Sequence, residues 1–225
     1  MAEESGSSDP VEALPVGTFR AAPGVEDWRV LGDGAHARYR CSSLEEALTF
    51  AASVVAQIST RTRPPDIDLR PASVTVRLPE LEESFLVPGD LALARAIQAI
   101  AREQGLEPDP SSLRSFQLAV AHAPGVQVQA FWEAILGYVP INDSDSRDPH
   151  EHGPRVWYHD IAHGRPGRGR THFDVYVPAD EAERIVEAAL AAGGRIADDS
   201  HAPEWWTLAS PDNHGVDVAP WPDRG

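Results

Sequence analysis

Cysteine is nearly missing from this chain. Cys41 is the only one, which excludes an internal disulfide. A single thiol suits a reducing compartment, so the expected location is the cytoplasm. Positive charge is also scarce: 19 Lys and Arg stand against 35 Asp and Glu, a net charge of −16. That balance excludes the basic surface that nucleic acid or an anionic membrane requires, and neither is expected as a partner. No apolar run approaches the roughly 18 residues of a membrane span. The acidic start "MAEESGSSDPVEALP" lacks the basic residues and apolar core of a secretory signal. Residues 1–15 are expected to be a disordered tail.

What is present suffices for a packed protein. Hydrophobic residues make up 42% and charged residues 24%, close to globular averages. A chain of 225 residues accommodates two units of about 100. The stretch "LEPDPSSLRS" has two prolines, three serines and no periodicity. It places a linker at 107–114, between a unit at 16–106 and another at 115–225.

The first unit reads β-β-α-β-α. Two strands, Trp28–Leu31 and Ala35–Cys41, flank a Gly-Asp-Gly turn. Ser42 or Ser43 caps a helix with Glu45 and Glu46 in its first turn. Its apolar positions are Leu44, Ala47, Leu48, Ala51, Val54, Val55 and Ile58. "TRTRPPD" stops it. "IDLRPASVTVRL" reads as strands, with Val74, Val76 and Leu78 alternating against Thr75 and Arg77. A second helix runs from about Asp90 to Gln104.

The second unit shows one element order twice. "SFQLAVAHA" is a strand and "GVQVQAFWEAILG" a helix, followed by strand and loop material ending in "RVWYHDI". "THFDVYV" is again a strand and "DEAERIVEAALAAGG" a helix. "RIADD", "WWTLAS" and "GVDVAP" are then short strands. Both halves read βαβββ, and both helices end at glycine, Gly137 and Gly193–Gly194.

Strand alternation sorts the candidate residues by face. His172, Asp174 and Tyr176 share one face, while Phe173, Val175 and Val177 take the core face. In the first strand Phe116, Leu118 and Val120 are core-like, leaving Gln117 and Ala119 opposite. Asp217 faces away from Val216 and Val218. In "RVWYHDI" one face carries Trp157 and His159, the other Tyr158 and Asp160. Trp205 and Trp206 alternate, one toward the core and the other toward a ligand or a partner subunit. His150 and His152, in "NDSDSRDPHEHGP", read as a solvated loop. Arg165, Arg168 and Arg170 among glycines read as a hairpin connection.

"AFWEAILGY", "RTHFDVYV", "AALAAGGRI" and "SPDNHGVDVAPW" resemble the vicinal-oxygen-chelate superfamily, which includes glyoxalase-like and bleomycin-resistance-like proteins. The resemblance covers residues 115–222. It implies two βαβββ units curled into a half-open barrel, and a cavity holding a small oxygenated metabolite. Members include isomerases, dioxygenases, thiol transferases and simple drug-binding proteins, so the fold alone does not select a reaction. Metal-using members take one ligand from each of four strands. That pattern falls on Gln117, His159, His172 and Asp217, with aspartate where glutamate is usual. A divalent metal at this set is one implication. A cavity-lining, hydrogen-bonding His172 without metal is the other, because many members with a His-apolar-Asp strand bind none. The implied cavity lining is Gln117, His159, His172, Asp174, Tyr176, Trp206 and Asp217.

"GVEDWRV", "HARYRCSSLEEALTFAASVVAQIS", "PPDIDLRPASVTVRL" and "GDLALARAIQAI" resemble pterin-4a-carbinolamine (4a-hydroxytetrahydrobiopterin) dehydratase. This second resemblance covers residues 24–104 and implies helices on one face of a small antiparallel sheet. The family's His-His-Pro-Asp run is matched here by Arg63, Pro64, Pro65 and Asp66, so both histidines are absent. A third family histidine is matched by Leu81. Proline has no proton to give and arginine keeps its own. A degenerate site at Arg63, Pro64 and Asp66, used for ligand binding or assembly, is therefore expected.

The expected whole is an α+β protein of two units. The C-terminal one binds, and in one reading transforms, a small metabolite. Assembly as a homo-oligomer, a dimer, is expected. The alternatives are an active dehydratase lyase fused to a glyoxalase-like domain, and a non-catalytic protein that sequesters a drug or metabolite.

Overall fold

The computed structural model describes residues 13–58, 64–79, 86–161, 171–209 and 215–220. The chain divides into two compact units. Of the described residues, one contains those within 13–28 and 34–109, the other those within 29–33 and 110–220. One division between them falls between Asp109 and Pro110, within residues 107–114. That stretch carries a two-residue strand, Glu107–Pro108, and a single 3-10 turn, Pro110–Ser112.

The first unit opens with α1 (Val16–Ala21), whose Val16 and Phe19 are buried. Six residues are too few to show a helical period, and the sequence reading has no helix here. Next in chain order come β1 (Trp28–Leu31), at the division after Trp28, and β2 (Gly34–Arg40). Gly34 has φ +139°, and a Cβ there would meet the Leu78 carbonyl oxygen at 2.3 Å, so only glycine fits. Ser43 caps α2 (Leu44–Val55), its hydroxyl accepting the Glu46 N–H at 3.2 Å. Then come β3 (Asp66–Arg70), β4 (Ser73–Pro79), α3 (Pro88–Glu103) and β5 (Glu107–Pro108). The sheet runs β1-β2-β4-β3, with β5 also paired to β2.

Its core is built from alternate residues of two strands. Ala35, Ala37 and Tyr39 of β2 and Val74, Val76 and Leu78 of β4 are fully buried. From the helices Ala47, Phe50, Val54, Ala94, Ile97 and Ala101 are buried as deeply. Tyr39 meets Phe50 edge to face at 5.4 Å. Burying a side chain such as Phe50 is worth about 3 kcal/mol. The face of α2 differs from the expected one. Phe50 enters the core, whereas Leu44, Leu48 and Val55 are 48%, 58% and 58% exposed. All three lie off the arc defined by Ala47, Phe50, Ala51 and Val54.

Gln98 and Asp109, both buried here, are paired. Gln98, 1% exposed, accepts the Asp27 N–H through Oε1 at 2.9 Å and donates through Nε2 to Glu26. The Gly24 N–H is the main influence on the Glu26 carboxyl and holds it down to about 2. Asp109 accepts from Arg38 at 3.3 Å and from Arg40 at 3.2 Å, which ties the end of this unit to β2.

The second unit contains the repeat. Its first half is β6 (Ser115–His122), α4 (Gln129–Leu136), β7 (Val139–Pro140), β8 (Asp145–Arg147) and β9 (Arg155–Asp160). The second half is β10 (Thr171–Val177), α5 (Ala182–Ala191), β11 (Arg195–Asp198), β12 (Trp206–Ala209) and β13 (Gly215–Pro220). One sheet joins them in the order β11-β12-β13-β10-β6-β9-β8-β7. In each half the first strand lies parallel to the fourth. The two first strands, β6 and β10, meet antiparallel at the centre. Gly137 ends α4 with φ +71°.

Two apolar clusters back this sheet. Val177, Leu208 and Val218 pack with Ala182 and Val186 of α5. Val120, Val156 and Tyr158 pack with Trp132 and Val128 around α4. Phe116 and Phe173, expected in the core, are instead 48% and 51% exposed, and their rings meet edge to face at 6.0 Å. Alternation put them on the apolar face correctly. It could not say that each cluster lies toward its own half of the sheet while this pair sits at the seam. Among the described residues no helix is long and apolar enough to cross a membrane.

Candidate functional site

Register across the centre of the second sheet decides which side chains meet. Asp174 on β10 stands opposite Gln117 on β6 and beside Asp217 on β13. Asp217 is beside Thr207 on β12, and Gln117 beside Arg155 on β9. The next row runs from His172 to Ala119 to Trp157. His159 is one row further along β9, beside Ala121. Neighbours across a ladder share a face, so one surface carries all of these.

His172, Asp174 and Asp217 form the centre. Their ligand-type atoms all lie within 4.8 Å of one another. His172 Nε2 is 3.2 Å from Asp174 Oδ1 and 3.7 Å from Asp217 Oδ2. All three are half-buried or deeper. Asp174 is 8% exposed, and its Oδ1 accepts no aligned hydrogen bond from the described residues. The Asp174 carboxylate is the main cause that raises the His172 pKa, with Asp217 adding to it, against the opposing effect of burial. Burial is the main cause that raises the Asp217 pKa, and the neighbouring Asp174 charge adds to it. The Thr207 hydroxyl and the charge of His172 oppose that rise.

The aromatic side of the site comes from β9. Trp157 Nε1–H donates to Asp174 Oδ2 at 2.7 Å. To do so the indole crosses β6, a span of roughly two strand spacings, about 9.6 Å. Ala119, fully buried between the Trp157 and His172 positions, leaves room for that crossing. The Trp157 ring stacks on His159 at 4.4 Å and stands edge-on to His172 at 6.3 Å. His159 Nδ1 donates to the Asp160 carbonyl at 3.0 Å, which leaves Nε2 as a buried acceptor with no donor among the described residues.

The other expected lining residues divide. Tyr176 donates its hydroxyl to Gln117 Oε1 at 3.0 Å, and Gln117 Nε2 reaches Asp145 Oδ1 at 3.4 Å. Gln117 is on the right face, with its carbonyl oxygen already occupied. Trp206 sits on the other face, against the Val177–Val186 cluster, so the expectation that it lines the site is corrected. Its neighbour Thr207 takes that place, because a strand sends successive side chains to opposite faces. Sequence reasoning passed over Thr207 and gave Trp157 no role. The one signal for Trp157 was its shared face with His159.

The fit to a divalent metal follows from these positions. Of the four residues implied by resemblance, Gln117 has its carbonyl oxygen taken by the Tyr176 hydroxyl, while His159 holds the Asp160 carbonyl through Nδ1 and keeps Nε2 without a donor among the described residues. His172, Asp174 and Asp217 offer one nitrogen and carboxylate oxygens close enough together to hold a divalent cation.

In the first unit Asp66 pairs with Arg77 at 2.7 Å, Pro64 precedes β3, and Arg63 and Leu81 lie outside the described residues. His163 and the stretch containing Arg165, Arg168 and Arg170 also lie outside them. His150 and His152 stack at 6.4 Å in a loop that Asp148 organises by accepting backbone N–H groups from both.

Comparison with known proteins bears on the second unit. No curated protein matches the chain. Among solved structures, a glyoxalase/bleomycin resistance protein/dioxygenase superfamily member from Vibrio splendidus 12B01 is 17% identical, covering 48% of this chain and 97% of that one with a TM-score of 0.28. The family model described as a glyoxalase-like domain matches residues 117–219, from the Gln117 strand through the Asp217 strand. Residues 117–219 of this chain are thus similar to a glyoxalase-like domain.

Proposed function

We propose that the second unit binds a small metabolite against the face carrying His172, and that the His172 imidazolium is the group that meets the ligand. One observation carries this reading: His172 Nε2 lies 3.2 Å and 3.7 Å from two carboxylates in a half-buried setting. Such a setting raises the His172 pKa and so favours the charged ring, which can donate a proton or a charged hydrogen bond to a ligand oxygen. A charge-assisted bond of that kind is worth about 1.5–3 kcal/mol. Proton transfer is the chemistry these residues can supply, and binding alone suits them equally.

If a divalent metal is resident, His172, Asp174 and Asp217 would hold it. It would polarise a ligand oxygen as a Lewis acid. Tyr176 and Gln117 would then orient the ligand, and Trp157 would keep one Asp174 oxygen in place.

For residues 16–106 we infer a role in assembly or binding without dehydratase chemistry. The exposed stripe Leu44, Leu48 and Val55 supports assembly as a homo-oligomer. Cys41 is a free, half-buried thiol whose pKa is raised by burial, an unreactive form that suits a reducing cytoplasm.

The test is calorimetry and thermal shift with candidate metabolites, on protein purified without chelator and assayed for metal. Ligand-dependent stabilisation lost in His172→Ala supports the reading; stabilisation that survives His172→Ala refutes it. Sedimentation of wild type against a Leu48→Glu variant tests assembly.

A further inference from the structure

The groups around His172 also constrain what kind of ligand they can accept, and this inference rests on the binding role just proposed. Acceptors are in excess. Asp174 is buried, with Oδ2 held by Trp157 and Oδ1 3.2 Å from His172 Nε2 but without an aligned donor, and His159 Nε2 is buried with no donor among the described residues. Asp217 adds a second carboxylate. Against these two negative charges the cluster sets one imidazolium. Arg155, the cation nearest in register, is separated from Asp174 by Gln117 and has an interaction of its own. Two carboxylates against the one imidazole make the surroundings of Asp174 and Asp217 acidic, and an incoming carboxylate or phosphate would meet like charge beside His172.

The rings supply a second, independent constraint. Trp157 and His159 stack with planes 26° apart, and His172 stands at 88° to one and 68° to the other. Together they make a corner of two ring planes, with carboxylates on the His172 side. A corner of this kind suits a flat group laid against the stacked pair, its polar edge turned to the acids.

We propose that the ligand of this site carries a planar π-system bearing a cationic or strongly hydrogen-bond-donating nitrogen, with its ring against Trp157 and His159 and its nitrogen toward Asp174 and Asp217. Trp157 therefore selects for flatness and the two carboxylates select for positive charge.

Three fragments separate these demands on the full chain. Benzylamine has both features, cyclohexylmethylamine keeps the charge without the π-face, and benzoate keeps the ring with the opposite charge. Binding is read by calorimetry and by perturbation of the His172 ring resonances. Benzylamine is expected to bind about five- to ten-fold more tightly than either of the others. Asp217→Asn, at a position 22% exposed in its side chain, is expected to erase the preference over benzoate and keep the preference over cyclohexylmethylamine. Trp157→Leu is expected to do the reverse. Equal binding of both amines, or tighter binding of benzoate, overturns this inference and leaves the His172 site standing. Failure of all three fragments to perturb His172 overturns both.

Discussion

The indole nitrogen of Trp157 lies 2.7 Å from Asp174 Oδ2, although the two residues belong to strands separated by β6. This contact exists because Ala119, the β6 residue between them, is small. Enlarging Ala119 to Leu is expected to push the indole away. The overpacking would cost about 1–3 kcal/mol. A fall in melting temperature, with a shift of the Trp157 indole N–H resonance, checks it. Ala119→Gly is expected to leave that resonance nearly unchanged.

The carboxylates beside His172 make stability depend on pH with a definite sign. The His172 pKa is raised in the folded state, so the folded form holds its proton more firmly than the unfolded one. The resulting stability is fully present below the unfolded histidine value of about 6.5 and is lost as pH rises through the raised folded value. The Asp217 pKa is raised as well, so its contribution has the same sign, starting from about 4. In metal-free protein, Asp174→Asn should therefore lower the melting temperature near pH 6 and much less near pH 9. Each kcal/mol corresponds to about 2–4 °C for a chain of this size. Equal losses at both pH values would contradict the assignment.

In the first unit the two faces of α2 should respond differently. Phe50→Ala removes a fully buried ring and is expected to cost about 3–5 kcal/mol in denaturant unfolding. Leu48→Ala, at a position 58% exposed, should stay within about 0.5 kcal/mol for the isolated chain.

Residues 16–106 should not accelerate dehydration of a pterin carbinolamine. If the resemblance to the dehydratase family holds, proline stands at one position where that family has histidine, and Asp66 is engaged with Arg77 at 2.7 Å. A stopped-flow dehydratase assay at neutral pH checks this, and turnover above the uncatalysed rate would contradict it.

Much of the second unit was legible before any coordinates. The βαβββ order appeared twice, because turn residues and apolar runs punctuate it clearly. The shared face of His172 and Asp174 followed from a period of two. Reach across the sheet was not legible. Trp157 touches Asp174 only because a particular register places alanine between them, and no local pattern encodes register between distant strands. Trp206 illustrates the same limit. Adjacent tryptophans must point oppositely, and only the packing of α5 on Val177 and Val218 decides which one faces inward.

By itself the sequence determined which side chains fall on the same face of each strand and where the longer helices lie. These follow from chain geometry and composition, which act over a few residues. Only the tertiary structure decided that His172 sits between Asp174 and Asp217, that Gln117 is taken by Tyr176, and that Phe116 and Phe173 are left at an exposed seam. Those outcomes depend on strand pairing and helix placement over long separations, where burial and close packing choose among faces that local chemistry leaves equivalent.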